Sequence, residues 1–229
     1  MNRPVLLAKP KEITWGWCYL AFQITFLEYF LGFAVNLLQL PWNAVQLNLL
    51  YFSVNLVAAV VIFRQFLADS FRAFLDRIGS ILLTAGAGYI VYYLLAFLVA
   101  FFIVTIDPAF ANVNDQSISA LSRQHYVLTA VGTVLLVPIT EELLHRGAIF
   151  GGLYRKNRIV AYAVSTLLFA LVHVAGYIGY YPMSTLLLCL LQYIPAGICL
   201  AASYEFSGNI FTPILIHTAV NAVGMLAMR

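Results

Sequence analysis

Between Ser80 and Ile106 the chain runs through 27 residues without an Asp, Glu, Lys or Arg. As a helix rising about 1.5 Å per residue, such a segment is long enough to cross the ~30 Å hydrocarbon layer of a bilayer. Lipid offers no partner to peptide N–H and C=O groups, so a spanning chain must satisfy them internally, in helices or in a closed barrel. Continuous apolar runs select helices, because barrel strands alternate. The run is not isolated. Over 229 residues the chain is 63% hydrophobic and 9% charged, with mean hydropathy +0.92, whereas a soluble domain carries about 25% charged residues. The expected class is an all-α, polytopic membrane helical bundle.

Seven spans follow from the apolar runs: Ile13 to Leu40, Val45 to Phe63, Ser80 to Ile106, Tyr126 to Tyr154, Ile159 to Val174, Ser184 to Tyr204 and Ile210 to Met228. The stretch 64–78 differs. Phe66, Leu67, Phe71, Phe74, Leu75 and Ile78 recur at helical spacing among Arg64, Asp69, Arg72, Asp76 and Arg77, the pattern of an amphipathic helix on the membrane surface. It is read as continuing into the third span or, in an eight-span alternative, as re-entering the bilayer. Asp107 to Gln124 is polar and is read as an exterior loop. The expected organisation is 1–124, spans one to three with the surface helix, and 125–229, spans four to seven, which hold the chemistry.

Charge distribution sets the topology. With the head inside and seven alternating spans, the inner segments hold Arg3, Lys9, Lys11, Arg64, Arg72, Arg77, Arg155, Lys156 and Arg158, and the outer ones only Arg123 and Arg229. Nine cations against two place the N-terminus in the cytoplasm of a multi-pass plasma-membrane protein. The first apolar segment is too long for a cleavable signal peptide. Cys18, Cys189 and Cys199 lie in apolar segments at no metal-binding spacing and read as free thiols. No basic patch with interleaved aromatics is present, so nucleic acid is not an expected partner.

Within the fourth span lies Thr140-Glu141-Glu142-Leu143-Leu144-His145-Arg146-Gly147. A charge at the bilayer centre costs roughly 2.5–3.5 kcal/mol on insertion scales, so this grouping requires a reason. Glu142 and Arg146, four residues apart, share a helix face and form a natural ion pair; Glu141 and His145 share a neighbouring face. Glu141 is then left without a cation, and a carboxylate in apolar surroundings is suited to general-base work. His173 in the fifth span and His217 with Asn221 in the seventh complete the polar set. At about 1.5 Å per residue, Glu141, His173 and His217 stand roughly 18–22 Å from the nearest charged turn, at similar depth on three helices. Elsewhere, Glu28 is an intramembrane acid that either pairs with Arg146 or lines an access path. Asn36, Asn48, Asn55 and Gln192 read as interhelical hydrogen-bonding residues, and His125 as solvated at a boundary. His145 has no assigned role.

Other metallo- and protease chemistries lack their residues. Glu142-x-x-His145 has the spacing of a di-iron ligand pair but no second copy. His-Glu-x-x-His, Gly-x-Gly-Asp and Gly-x-Ser-Gly are all absent. What is present, in order, is Glu141-Glu142-x-x-x-Arg146-Gly147, Phe169-x-x-x-His173 and His217-x-x-x-Asn221. These motifs resemble those of the CPBP family, the CAAX-protease and bacteriocin-processing (Abi) group that includes Rce1-like endopeptidases. The resemblance covers about residues 125 to 225, and it departs at His145, where the family more often has an aromatic or apolar residue.

The resemblance implies an intramembrane peptidase acting on a peptide or membrane-protein substrate. Glu141 would activate water, His173, His217 and Asn221 would complete the catalytic site, and Glu142, Arg146 and Phe169 would support it, with Asn221 a candidate oxyanion donor. Glu141, His173 and His217 also make a His₂Glu set of zinc-ligand type, and a metal-free glutamate–histidine site would use the same residues. Two alternatives belong to other classes: a non-catalytic CPBP-fold scaffold or bacteriocin-immunity protein, and a transporter, which would require inverted repeats that the chain does not display.

Overall fold

In the computed structural model, residues 5–229 are described, and they form eight helices. These are α1 (Pro10–Leu37), α2 (Ala44–Ile62), α3 (Arg64–Asp76), α4 (Ile78–Ile106), α5 (Val113–Tyr154), α6 (Arg158–Val172), α7 (Met183–Ser207) and α8 (Phe211–Ala227). α1, α2, α4, α5 and α7 are long and apolar enough to cross a membrane, while α6 and α8, of 15 and 17 residues, are shorter. The seven apolar helices match the seven expected spans. Arg3, counted above among the inner cations, lies outside the described residues.

Sequence punctuation explains most helix ends. Asn43 caps α2 by accepting from the Gln46 amide at 3.0 Å, with the reciprocal Gln46 contact completing the box. Asn157 caps α6 in the same way. Gly208, at φ +68°, adopts the left-handed conformation that stops α7, and its N–H returns to the Tyr204 carbonyl. Glu12, beside the cations of the head, is buried. It closes the first turn of α1 and accepts from the Gln65 and Phe66 amides, which caps the start of α3 as well.

Two expectations need correction. The surface helix is not fused to the next span: Arg77, at φ −137° and ψ 27°, separates α3 from α4. α3, of 13 residues with Arg64, Asp69, Arg72 and Asp76, is not among the helices long and apolar enough to cross a membrane. The stretch 107–124 is mainly helical rather than an exterior loop. Asn112 caps it through the Asn114 and Asp115 amides, and it forms the first part of α5, up to a kink at His125, whose backbone is non-helical. This arm turns back onto the bundle, where Asn112 donates to Gln192 at 2.8 Å and Asn114 to the Tyr193 hydroxyl at 3.0 Å.

Lipid tails are as apolar as the side chains, so helix association depends on close packing and on interhelical hydrogen bonds. Small residues supply the first. A Cβ on Gly16 of α1 would lie 2.6 Å from the Phe63 ring and 2.7 Å from Ala148, and one on Gly197 of α7 would lie 2.6 Å from Thr166 of α6. Asn55 supplies the second, accepting from Tyr19 of α1 at 2.9 Å. Asn36, by contrast, is exposed and joins no helices. Leu83, Ile90, Leu94, Phe97 and Phe101 form an exposed stripe along α4, as expected of a lipid-facing side.

The segments expected on the inner side meet at one end of the bundle. Lys9 bonds Gln65, Arg155 bonds the Ala8 carbonyl, Arg77 reaches the Ser207 carbonyl and Arg158 pairs with Glu205 at 2.7 Å. Tyr204 also donates to the Leu6 carbonyl.

Candidate active site

α5 is irregular where the chemistry lies. Two π-helical stretches, Val131–Leu136 and Leu143–Phe150, flank a short α-helical piece, Val137–Glu142. Widened turns of this kind often occur at functional positions. The second begins directly after Glu142. From Glu142 to Gly151 the helix is buried throughout, and Arg146 and Glu142 have no exposed side-chain surface.

Arg146 is held from three sides, although its Nε has no partner among the described residues. Its Nη1 donates to Glu142 Oε1 at 3.1 Å, its Nη2 donates to the Gly197 carbonyl of α7 at 3.2 Å, and its guanidinium lies 4.6 Å from the Phe169 ring centroid. The expected Glu142–Arg146 pair therefore forms, and it ties α5 to α6 and α7. Glu142 has a further role that helical spacing could not reveal, because its Oε1 also accepts from His217 Nδ1 at 2.9 Å. A carboxylate holding Nδ1–H directs the other imidazole nitrogen, with its lone pair, toward the site.

His173 is oriented by a different device. It stands at the C-cap of α6, where the helix ends, and its Nδ1 bonds the Phe169 carbonyl at 2.7 Å. A carbonyl only accepts, so Nδ1 carries the proton and Nε2 is again bare. The ring stacks on Tyr193 of α7 at 4.3 Å between centroids. Tyr193 was not among the residues read from the sequence, and no spacing or motif marked it.

The two bare nitrogens converge on one oxygen. Glu141 Oε2 lies 3.7 Å from His173 Nε2 and 3.9 Å from His217 Nε2. These separations exceed a direct hydrogen bond but suit a bridging water. Glu141 Oε2 has no hydrogen-bond partner among the described residues. Asn221 donates to the Thr133 carbonyl at 2.9 Å, which leaves its second amide hydrogen free. Glu141, His173, His217 and Asn221 all line one cavity of about 830 Å³. Phe169 packs beneath them, with centroid distances of 4.7 Å to His173, 5.8 Å to His217 and 5.3 Å to His145.

His145 and Glu28 now have surroundings. His145 is fully buried, and its Nδ1 bonds the Glu141 carbonyl at 2.9 Å, so it addresses that residue's backbone and not its carboxylate. Glu28 does not pair with Arg146, whose partners are those above; it lines the cavity instead.

Two imidazole nitrogens and a carboxylate oxygen are zinc-type donors. Ligand bonds of about 2.0–2.2 Å at tetrahedral angles bring such donors to roughly 3.3 Å from one another, so the triangle would have to close by about half an ångström. Among the described residues no group of three His, Cys, Asp or Glu is arranged to hold a metal ion.

Comparison with known proteins bears on the same helices. Residues 123–223 match the family model described as Type II CAAX prenyl endopeptidase Rce1-like. The chain is also 29% identical over 151 residues to UPF0177 protein YxdF of Lactococcus lactis subsp. lactis (strain IL1403), covering 66% of this chain and 75% of that protein. No solved structure matches it. The family match begins at the arm of α5 and ends two residues beyond Asn221, so it takes in every motif residue that the fold gathers on the cavity. Over these residues the chain is similar to the Rce1-like CAAX endopeptidases, as its motifs suggested.

Proposed function

We propose that the chain is an intramembrane endopeptidase that cuts a peptide or membrane-protein substrate with a Glu141-activated water. The observation that carries this reading is the approach of Glu141 Oε2 to both bare Nε2 atoms, at 3.7 and 3.9 Å, on the wall of a shared cavity. Water held there loses a proton to Glu141 as its oxygen adds to the scissile carbonyl. Asn221 offers its free N–H to the oxyanion that forms. Glu141 returns the proton to the leaving nitrogen, the C–N bond breaks, and an acid and an amine leave. His173 and His217 orient the water and share the proton load. Glu142 holds the tautomer of His217, and Arg146 pairs with Glu142 inside the bundle. Should the enzyme carry zinc, Glu141, His173 and His217 would hold it, and the ion would supply a bound water of lowered pKa.

The test is cleavage by the purified full-length chain and its Glu141→Gln, His173→Ala and His217→Ala variants at equal membrane abundance. All three are expected to lose activity, and three active variants would sink the reading in favour of a non-catalytic scaffold. The same preparation, assayed with and without chelator, decides the metal: activity lost to chelator and restored by zinc supports the ion, and unchanged activity supports the metal-free site.

The proposed orientation places the N-terminus in the cytoplasm of the plasma membrane, supported by the gathering of Lys9, Arg77, Arg155 and Arg158 at one end of the bundle. A reporter enzyme active only outside the cell is expected to work when fused after Arg229 and to fail when fused after Arg158. The reverse pattern would invert the topology.

A further inference from the structure

The cavity is lined by three carboxylates, Glu28, Asp115 and Glu141, and by no lysine or arginine. Asp115 lies in the first turn of α5, where the helix dipole favours an anion. Glu28 has no such support. It stands in an apolar helix, where an ionisable group is costly and normally has a partner, yet it forms no ion pair and no side-chain hydrogen bond among the described residues. Arg123, which lines a neighbouring surface cavity with Asp115, bonds Ser119, and Arg229 lies over the Tyr126 ring; neither forms an ion pair with a carboxylate of this cavity among the described residues. A second, independent observation comes from His145. Its side chain is wholly buried, it lines the same cavity, and its Nε2 has no partner. Because Nδ1 carries the proton, this nitrogen can only accept. The Gln23 carbonyl oxygen on the same cavity is also buried and unpartnered. The cavity thus presents several unmatched acceptors and anions, and no cation to balance them.

We infer that this cavity receives a cationic, donor-rich stretch of peptide, taken as an internal segment and not through a free C-terminal carboxylate; the inference rests on the peptidase function proposed above. A Lys or Arg side chain near the scissile bond supplies the missing counter-charge for Glu28 and Asp115. A terminal carboxylate would meet only like charge, which suppresses binding.

The experiment uses the full-length chain in nanodiscs of zwitterionic phosphatidylcholine, with partition into empty discs subtracted. The probes are two apolar peptides of equal length, one with a central pair of lysines and one with a central pair of glutamates, each made as C-terminal amide and as free acid. Binding is measured on the Glu141→Gln variant, and cleavage on the wild type. The lysine peptide is expected to bind roughly tenfold or more tightly than the glutamate peptide, with the amide favoured over the acid. Glu28→Gln and Asp115→Asn are each expected to shrink the charge preference severalfold. Equal binding of the two peptides overturns the inference, as does a preference that both carboxamide variants leave intact. Equal cleavage of the two peptides removes the charge preference and leaves the peptidase standing. Selective binding of the lysine peptide with no cleavage by the wild type does the reverse.

Discussion

Arg146→Met is expected to cost about 3–5 kcal/mol of stability, enough to remove most folded protein from the membrane, because it strands a buried carboxylate. Glu142 has no exposed side-chain surface, and its Oε1 is shared between Arg146 and His217. Its other oxygen already lacks a partner. Methionine fills much of the volume but supplies neither the charge nor the bond to the Gly197 carbonyl. Lysine is not an adequate replacement, since one ammonium cannot reproduce the planar fork that reaches Glu142 and Gly197 while lying against Phe169. The double variant Glu142→Gln/Arg146→Met removes both charges and is expected to recover a large part of the loss while remaining inactive, because His217 loses the carboxylate that sets its tautomer. Thermal unfolding of detergent-purified protein measures both effects. An Arg146→Met chain that melts with the wild type would show that the pair is not a structural tie.

Glu141→Gln is expected to behave in the opposite way, losing about 10²–10⁴-fold in cleavage rate with the fold retained. The Glu141 carboxylate makes no hydrogen bond that holds helices together, and its backbone carbonyl, which receives His145, is unaffected by the substitution. Gln is close in size but cannot take a proton from water. The measurement is single-turnover cleavage beside a melting curve on the same preparation. A rate within tenfold of wild type would remove Glu141 as the base, and a large drop in melting temperature would make it a structural residue. Together the two variants separate adjacent glutamates into one that supports the bundle and one that does the chemistry.

Much of this arrangement was legible from the residues alone. The scarcity of charge dictated spanning helices, since no other element satisfies its own backbone in lipid, and the helical period put Glu142 with Arg146 and Glu141 with His145 on neighbouring faces. Counting rise per residue brought Glu141, His173 and His217 to similar depth, and the positions of the cations paired the chain's turns by side. What the period could not carry was direction across helices. That Glu142 serves His217 depends on α8 packing beside α5. That His173 sits at a helix end depends on where α6 stops, which no glycine or proline at that point announced.

Polarity alone is a poor guide in two places, for the same reason. The stretch 107–124 is polar, yet most of it is helical, because its asparagines bond to Gln192 and Tyr193 and not to water alone. Glu12 is charged, yet it is buried, because it answers the free amides at the start of α3. Composition reports the cost of removing a group from water but not the partner that offsets it. By itself, then, the sequence determined the class of fold and the apolar helices, which follow from transfer of side chains and backbone into lipid. Only the tertiary structure decided which groups meet: that Phe169 gathers three imidazoles, that Glu141 faces two bare nitrogens, and that Glu28 looks onto their cavity without a cation. Those meetings depend on helix-to-helix distances of a few ångströms, set by small residues such as Gly16 and Gly197.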